Sequence, residues 1–119
     1  MSLQDLYERV GGDYADVLSR LMTEERVLKF VRRFPEDPSF GELKTALGSG
    51  DNETAFRAAH TIKGIAQNLG FTGLYKASDE LTEALRPGSE DDIKADIPAL
   101  FSRTSEEYEK VVAAIAEIQ

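Results

Sequence analysis

The sequence predicts an all-α protein: an antiparallel up-down four-helix bundle with additional short helices at its N-terminal end. Three observations carry this. Apolar residues recur at spacings of three and four along most of the chain, and no segment sustains the alternation of a strand. Capping residues and Gly or Pro breakers fall where those stripes start and stop. The turns between the longer stripes are short, which favours antiparallel neighbours.

The elements follow in order. Leu3, Leu6, Tyr7 and Val10 make the first helical stripe, and Gly11-Gly12 ends it. Asp13 is placed to cap a second helix carrying Val17, Leu18 and Leu21, and Thr23 a third carrying Val27, Leu28, Val31 and Phe34. Glu24 and Glu25 suit the positive first turn of that third helix, and Pro35 stops it. Asp37-Pro38 reads as an N-cap with proline at the first helical position. The helix it opens buries Phe40, Leu43 and Leu47 and ends at Gly48. These short helices span about residues 2–48.

Asp51 then caps a histidine-bearing helix over about 52–69, closed by Gly70 as its left-handed C′ residue. A partner helix follows over about 73–86, with Leu74, Ala77, Ser78, Leu81 and Leu85 on one stripe, and Pro87-Gly88 breaks it. Ser89-Glu90-Asp91-Asp92 reads as a capping box. The final helix covers about 97–118, with a stripe from Ile97 through Phe101, Tyr108 and Val111 to Ile118. Pro98 is tolerable only in a first turn, which places a break around Asp96. Residues 1–119 are expected to form one domain, and one bundle suffices to bury these stripes, so a monomer is expected.

Composition excludes several function classes. With 41% hydrophobic and 30% charged residues the chain has the profile of a soluble globular domain. A net charge of −8 argues against nucleic acid and anionic membrane as partners. The absence of cysteine removes disulfides, thiol nucleophiles and zinc–thiolate sites. Asp91, Asp92 and Asp96 lack the spacing and central glycine of a calcium loop. Gly48-Ser49-Gly50-Asp51 lacks the Gly-Lys-Ser/Thr ending of a phosphate cradle, so nothing points to a kinase. No apolar run is long enough to span a bilayer and no export signal opens the chain, so a cytoplasmic address is expected.

One residue stands out: the only histidine, His60, in the run Ala58-Ala59-His60-Thr61-Ile62-Lys63-Gly64. At roughly 100° per residue, Ala55, Ala58, Ala59, Ile62, Ile65, Ala66 and Leu69 gather on the side opposite His60. The histidine side holds Glu53, Phe56, Arg57, Lys63, Gly64, Gln67 and Asn68. Arg57 and Lys63 flank the imidazole at about one turn each way, a small basic island on an acidic protein. Nearby cations disfavour the imidazolium form, which suits a nucleophilic ring, and would steady an arriving dianionic phosphoryl group. Gly64 costs about 1 kcal/mol relative to alanine inside a helix, so its bare patch calls for a reason. Either another helix of this chain comes close there, or another molecule does.

The run His-x-x-Lys-Gly, preceded by Ala-Ala and followed by Leu69-Gly70, resembles the histidine phosphotransfer (HPt) domain family. Its members are four-helix-bundle intermediates of multistep two-component phosphorelays. The resemblance implies that His60 accepts a phosphoryl group on Nε2 from a receiver-domain aspartate and passes it to another receiver. Lys63 would stabilise the phosphohistidine charge, Gly64 would leave room for the receiver, and Gln67 would border the docking site. Members often carry a polar side chain on the neighbouring helix that orients the imidazole. If the turn centres near Phe71, Thr82 is level with His60, and Ser78 would serve if the hairpin is shifted by one turn. Implied partners are response-regulator receiver domains and a hybrid sensor histidine kinase. No cofactor is implied for this chain, since Mg²⁺ is expected on the receiver. Phe56 is either a docking contact or packing against the N-terminal helices. Two other functions compete: a helical adaptor that binds receivers without being phosphorylated, and an enzyme using His60 as a general base, which would need a concave pocket.

Overall fold

Five of the seven α-helices described begin where a side-chain oxygen meets their orphan N–H groups; the two that follow Pro38 and Phe71 do not. The computed structural model describes residues 1–88 and 96–118. All regular structure among them is helical: α1 Leu3–Arg9, α2 Tyr14–Leu21, α3 Glu24–Arg33, α4 Ser39–Ser49, α5 Asn52–Leu69, α6 Thr72–Leu85 and α7 Ile97–Ala116. The side chains of Asp13, Thr23, Asp51 and Asp96 each accept from the backbone N–H three residues on. Pro98 falls in the first turn of α7, where its missing N–H is harmless. Ser2 and Asp5 close a reciprocal capping box at α1 that the sequence reading missed. The expected box at Ser89–Asp92 lies outside the described residues.

Several boundaries differ from expectation: α4 runs through Gly48 to Ser49, with Gly50 as its left-handed C-cap, and α7 stops at Ala116. Phe34 leaves α3 and opens a 3-10 turn, Phe34–Glu36, through Pro35. Asp37 is one residue too early to be the cap of α4; Pro38 holds that position, and the Asp37 carboxylate accepts from Ser39 N–H at 2.8 Å. Pro38 already has helical φ and ψ, and Ser39 N–H is the first orphan donor the Asp37 carboxylate meets.

Helices α4 to α7 form the bundle. Two-residue turns force α4 against α5 and α5 against α6 in antiparallel pairs. Glu80 pairs with Arg103 at 2.7 Å and Glu107 lies over Gly73, so α7 runs antiparallel to α6. Aromatic rings close the fourth side: Phe40 of α4 stacks on Tyr108 at 4.1 Å and on Phe101 at 5.7 Å. Helix α5 runs through the middle, and its buried alanines, Ala55, Ala58, Ala59 and Ala66, let neighbours approach on both sides. No described helix is long and apolar enough to cross a membrane.

The short N-terminal helices clasp the C-terminal end of α5. That end carries orphan carbonyls that need donors. Tyr7 donates its hydroxyl to Leu69 O at 2.5 Å, Asp13 N–H donates to Gly70 O at 2.8 Å, and Arg20 donates to Gln67 O and Asn68 O at 2.9 and 2.7 Å. Gly70 sits at φ +72°, and a Cβ there would meet Asp13 O at 2.8 Å. Only glycine satisfies both the left-handed turn and the close approach.

Candidate functional site

The register between α5 and α6 fixes what stands beside His60. Lys63 meets Asp79 across the helix pair at 2.8 Å, and the Arg86 guanidinium lies over the Phe56 ring at 5.2 Å. Interpolating between these two contacts puts His60 level with Thr82, the height the sequence predicts. The face is different. Thr82 is completely buried, and its hydroxyl donates to Ser78 O at 2.6 Å. Ser78 is equally buried and donates to Leu74 O at 2.7 Å. The expectation that one of these hydroxyls orients the imidazole is therefore corrected: both are core residues whose protons already have carbonyl acceptors. The edge of α6 that borders the histidine carries Asp79, Glu83 and Arg86, at spacings of four and three.

His60 itself is exposed, on the side of α5 opposite the buried alanines. Among the described residues its ring neighbour is Phe56, with centroids 6.2 Å apart. Phe56 is half-buried and faces α6 rather than the N-terminal helices, lining a shallow groove with Glu53, Leu85 and Pro87. Gly64 is exposed one turn below His60, and a Cβ built there meets nothing within 4 Å. Packing among the described residues thus gives no reason for the glycine. Gln67 is exposed a further turn on, and its backbone carbonyl is held by Arg20.

The basic island is not free charge. Arg57 is 68% exposed and pairs with Glu53 at 3.6 Å. Lys63 is only 21% exposed, and its ammonium pairs with Asp79. That hydrogen bond, ahead of the surrounding acids, raises the lysine above its ordinary range. Glu83 is grasped by Arg86 through two bonds at 2.7 and 3.1 Å. Arg86 chiefly holds the Glu83 carboxyl below its usual range, and Lys63 and His60 add smaller contributions in the same direction. Each cation near His60 therefore already faces an acid, and any phosphate must compete with those acids for it.

Asp79, Glu83 and Arg86 are the residues sequence reasoning missed. A signal for them existed. The same hairpin register that matches His60 with Thr82 matches Lys63 with Asp79, an opposite charge. Among the described residues, no group of three or more His, Asp or Glu side chains comes together as a metal site.

The profile of the Hpt domain matches residues 27–117. That span takes in α3 from Val27 onward and all of α4 to α7, and it leaves α1 and α2 outside. No curated protein and no solved structure matches the chain. Hpt domains are helical phosphocarrier modules, not kinases, and they work with receiver and kinase domains. A match over far more than half of the sequence, on a helical bundle with an exposed histidine in its central helix, makes the chain a member of the Hpt domain family.

Proposed function

We propose that His60 is the phosphoacceptor and that this chain carries a phosphoryl group between receiver domains. In the forward step the neutral Nε2 attacks phosphorus in line. The N–P bond forms as the P–O bond to the receiver aspartate breaks, and the carboxylate leaves with the electron pair. Nδ1 keeps its proton. The reverse step returns the group to an aspartate of a second receiver and restores the neutral ring. Such transfer needs position and charge more than covalent machinery. Lys63 supplies charge to the phosphoryl oxygens by turning from Asp79. Glu83, on the α6 edge one residue past the level of His60, is the polar group we assign to orient the imidazole, by turning from Arg86. The metal ion of the reaction belongs to the receiver.

The observation that carries this reading is Gly64. A helix-interior glycine lowers stability, and none of the described residues occupies the space it leaves. The vacant surface lies directly beside an exposed nucleophile. That is the arrangement expected where a second macromolecule brings its own active site to the histidine. A general base would instead sit in a concave pocket, and His60 lies on a convex ridge of α5.

The test is incubation with a phosphorylated receiver, followed by acid and alkali treatment of the labelled protein. Phosphohistidine is lost in acid and survives alkali. Label that survives acid, or that persists in His60→Gln, overturns the assignment.

A further inference from the structure

On an acidic protein, cations without partners are informative. Arg9, Arg20, Arg57, Lys63, Arg86, Arg103 and Lys110 all have acids within ion-pair distance. Among the described cations without such a partner, Lys44 and Lys76 stand singly on α4 and α6, whereas α3 gathers four. Arg26, Lys29, Arg32 and Arg33 are all exposed, and none has an ion pair among the described residues. Three of the four share one face. Arg26, Phe30 and Arg33 follow each other at spacings of four and three, with Lys29 alongside.

This part of the chain is also apolar where it need not be. Phe30 is 39% exposed although Val27, Val31 and Phe34 already anchor the helix. Met22, the residue before the Thr23 cap, is 75% exposed and takes a left-handed φ of 77°. These two are the large apolar side chains that the described chain leaves most open to water.

This face is continuous with the histidine ridge. Phe30 and Arg33 share a cleft of about 200 Å³ with Ile65 and Asn68 of α5, the residues that follow Gly64 and Gln67 down the helix. Asp37 also borders the cleft, beyond ion-pair distance of Arg33. Glu25 and Glu36 lie along the groove on the far side, with Lys29 and Arg32. The cationic stripe runs between them. From His60 to Asn68 is about 12 Å along the helix axis. One partner of ordinary interface size, about 800 Å² per side, covers both.

We infer that the Arg26–Phe30–Arg33 stripe, with Lys29 beside it, is the partner-selecting half of the docking surface, and that it takes an acidic surface of the receiver domain engaged at His60. This rests on the phosphotransfer reading and adds to it the feature by which one receiver is preferred over another. Charge complementarity selects the occupant. Most of this protein repels an acidic partner, so a local cation stripe decides both where such a partner lands and how fast. Phe30 supplies the apolar contact that retains it.

The probe is the set of receiver domains of the parent genome, each phosphorylated with acetyl phosphate. Labelling of His60 is followed against receiver concentration at low and high salt. The proteins compared are wild type, the triple variant Arg26→Gln/Lys29→Gln/Arg33→Gln, and Phe30→Ala. For a receiver that labels wild type, the half-saturating concentration is expected to rise about tenfold in the triple variant at low salt, and the saturated rate to fall far less. The difference narrows at high salt. Phe30→Ala raises half-saturation about threefold at either salt. Thermal unfolding followed by circular dichroism shows whether each variant keeps the fold; the charge-neutralised side chains are all exposed.

Triple-variant half-saturation equal to wild type at every salt overturns the inference while leaving phosphotransfer intact. So does a stripe whose neutralisation spares the receiver but abolishes binding to phosphatidylserine vesicles or duplex DNA. Failure of every receiver to label wild type overturns the phosphotransfer reading, and the inference falls with it. That outcome is read on wild type alone and is separate from the others.

Discussion

The two flanks of α5 handle charge in opposite ways. On the α6 side the cations nearest the histidine meet their opposites, Lys63 with Asp79 and Arg86 with Glu83, as Arg103 meets Glu80; Lys76, farther along, has no ion pair among the described residues. On the α3 side Arg26, Lys29, Arg32 and Arg33 have no ion-pair partners among the described residues. Neither pattern says much about stability, because exposed ion pairs contribute roughly 0–1 kcal/mol each. The contrast instead concerns availability. A paired cation must be won from its acid, which makes it a tunable element of the reaction. An unpaired cation acts at a distance on an arriving molecule. His60 and Gly64 lie on the ridge between the two.

The strongest way to break this comparison is to fill the ridge. Gly64→Gln places a long side chain where a Cβ now meets only open space. Transfer from a phosphorylated receiver should fall about 100-fold, equivalent to about 2.7 kcal/mol at the transition state. Stability should not fall with it. Gly64→Ala should raise unfolding free energy by about 0.5–1 kcal/mol, because the helix gains an alanine and loses nothing. A protein that becomes more stable and less active identifies a surface kept bare for a partner. Normal transfer by both variants would leave the ridge without a function.

Next in size is the corrected face of α6. Thr82→Gln pushes a long polar group into a filled core and should destabilise the fold by about 2–4 kcal/mol in chemical denaturation. Were Thr82 an imidazole-orienting residue on the surface, the same change would be harmless. Glu83→Gln, by contrast, should leave the unfolding temperature near that of wild type and slow transfer several-fold.

These two residues show how much of the molecule was legible in its sequence. Caps were, because a cap is a relation between residues three apart: Asp13, Thr23 and Asp51 are where they were expected. The exposure of His60 was, because helical phase is fixed over one turn. Height across the α5–α6 hairpin was, because a two-residue turn sets it. Phase around α6 was misjudged. Ser78 was placed on the buried stripe, and Thr82, one turn later, belonged with it; hydroxyls that bond the carbonyl four residues back can be buried without penalty. The charge state of the site was least legible. Lys63 reads as free cation until Asp79 is brought from another helix, and no local pattern does that. The same holds for Tyr7, whose hydroxyl finds its acceptor, Leu69 O, only through the tertiary clasp.

That clasp holds the α3 flank to the ridge and offers a smaller test. Tyr7→Phe leaves Leu69 O without its buried donor and should cost about 1–3 kcal/mol. Burial raises the Tyr7 hydroxyl well above its ordinary value of 10.0. Its contribution is therefore fully present below the unfolded value and is lost as pH rises beyond it. Wild type should lose stability steeply above about pH 10, and Tyr7→Phe should show a shallower alkaline limb in urea titrations at stepped pH.

The smallest expected effect on folding is the most telling about the α6 flank. Asp79→Asn removes the acid that holds Lys63. The bond is partly exposed, so the loss of stability should be no more than about 0.5 kcal/mol. The raised lysine value fixes its pH dependence: the contribution is present below the ordinary ammonium value of 10.5 and is lost as pH rises through the folded one, so the variant and wild type should converge in strong alkali. At neutral pH the freed ammonium no longer has to leave a carboxylate before it meets the phosphoryl group. The equilibrium between phosphorylated receiver and phosphorylated His60 should then shift a few-fold toward His60. Measuring both directions of transfer separates this from faster docking, which would speed them equally and leave the ratio unchanged. A ratio that stays at the wild-type value would mean that Lys63 is a strut between helices, and that the phosphohistidine is steadied by some other group on the ridge.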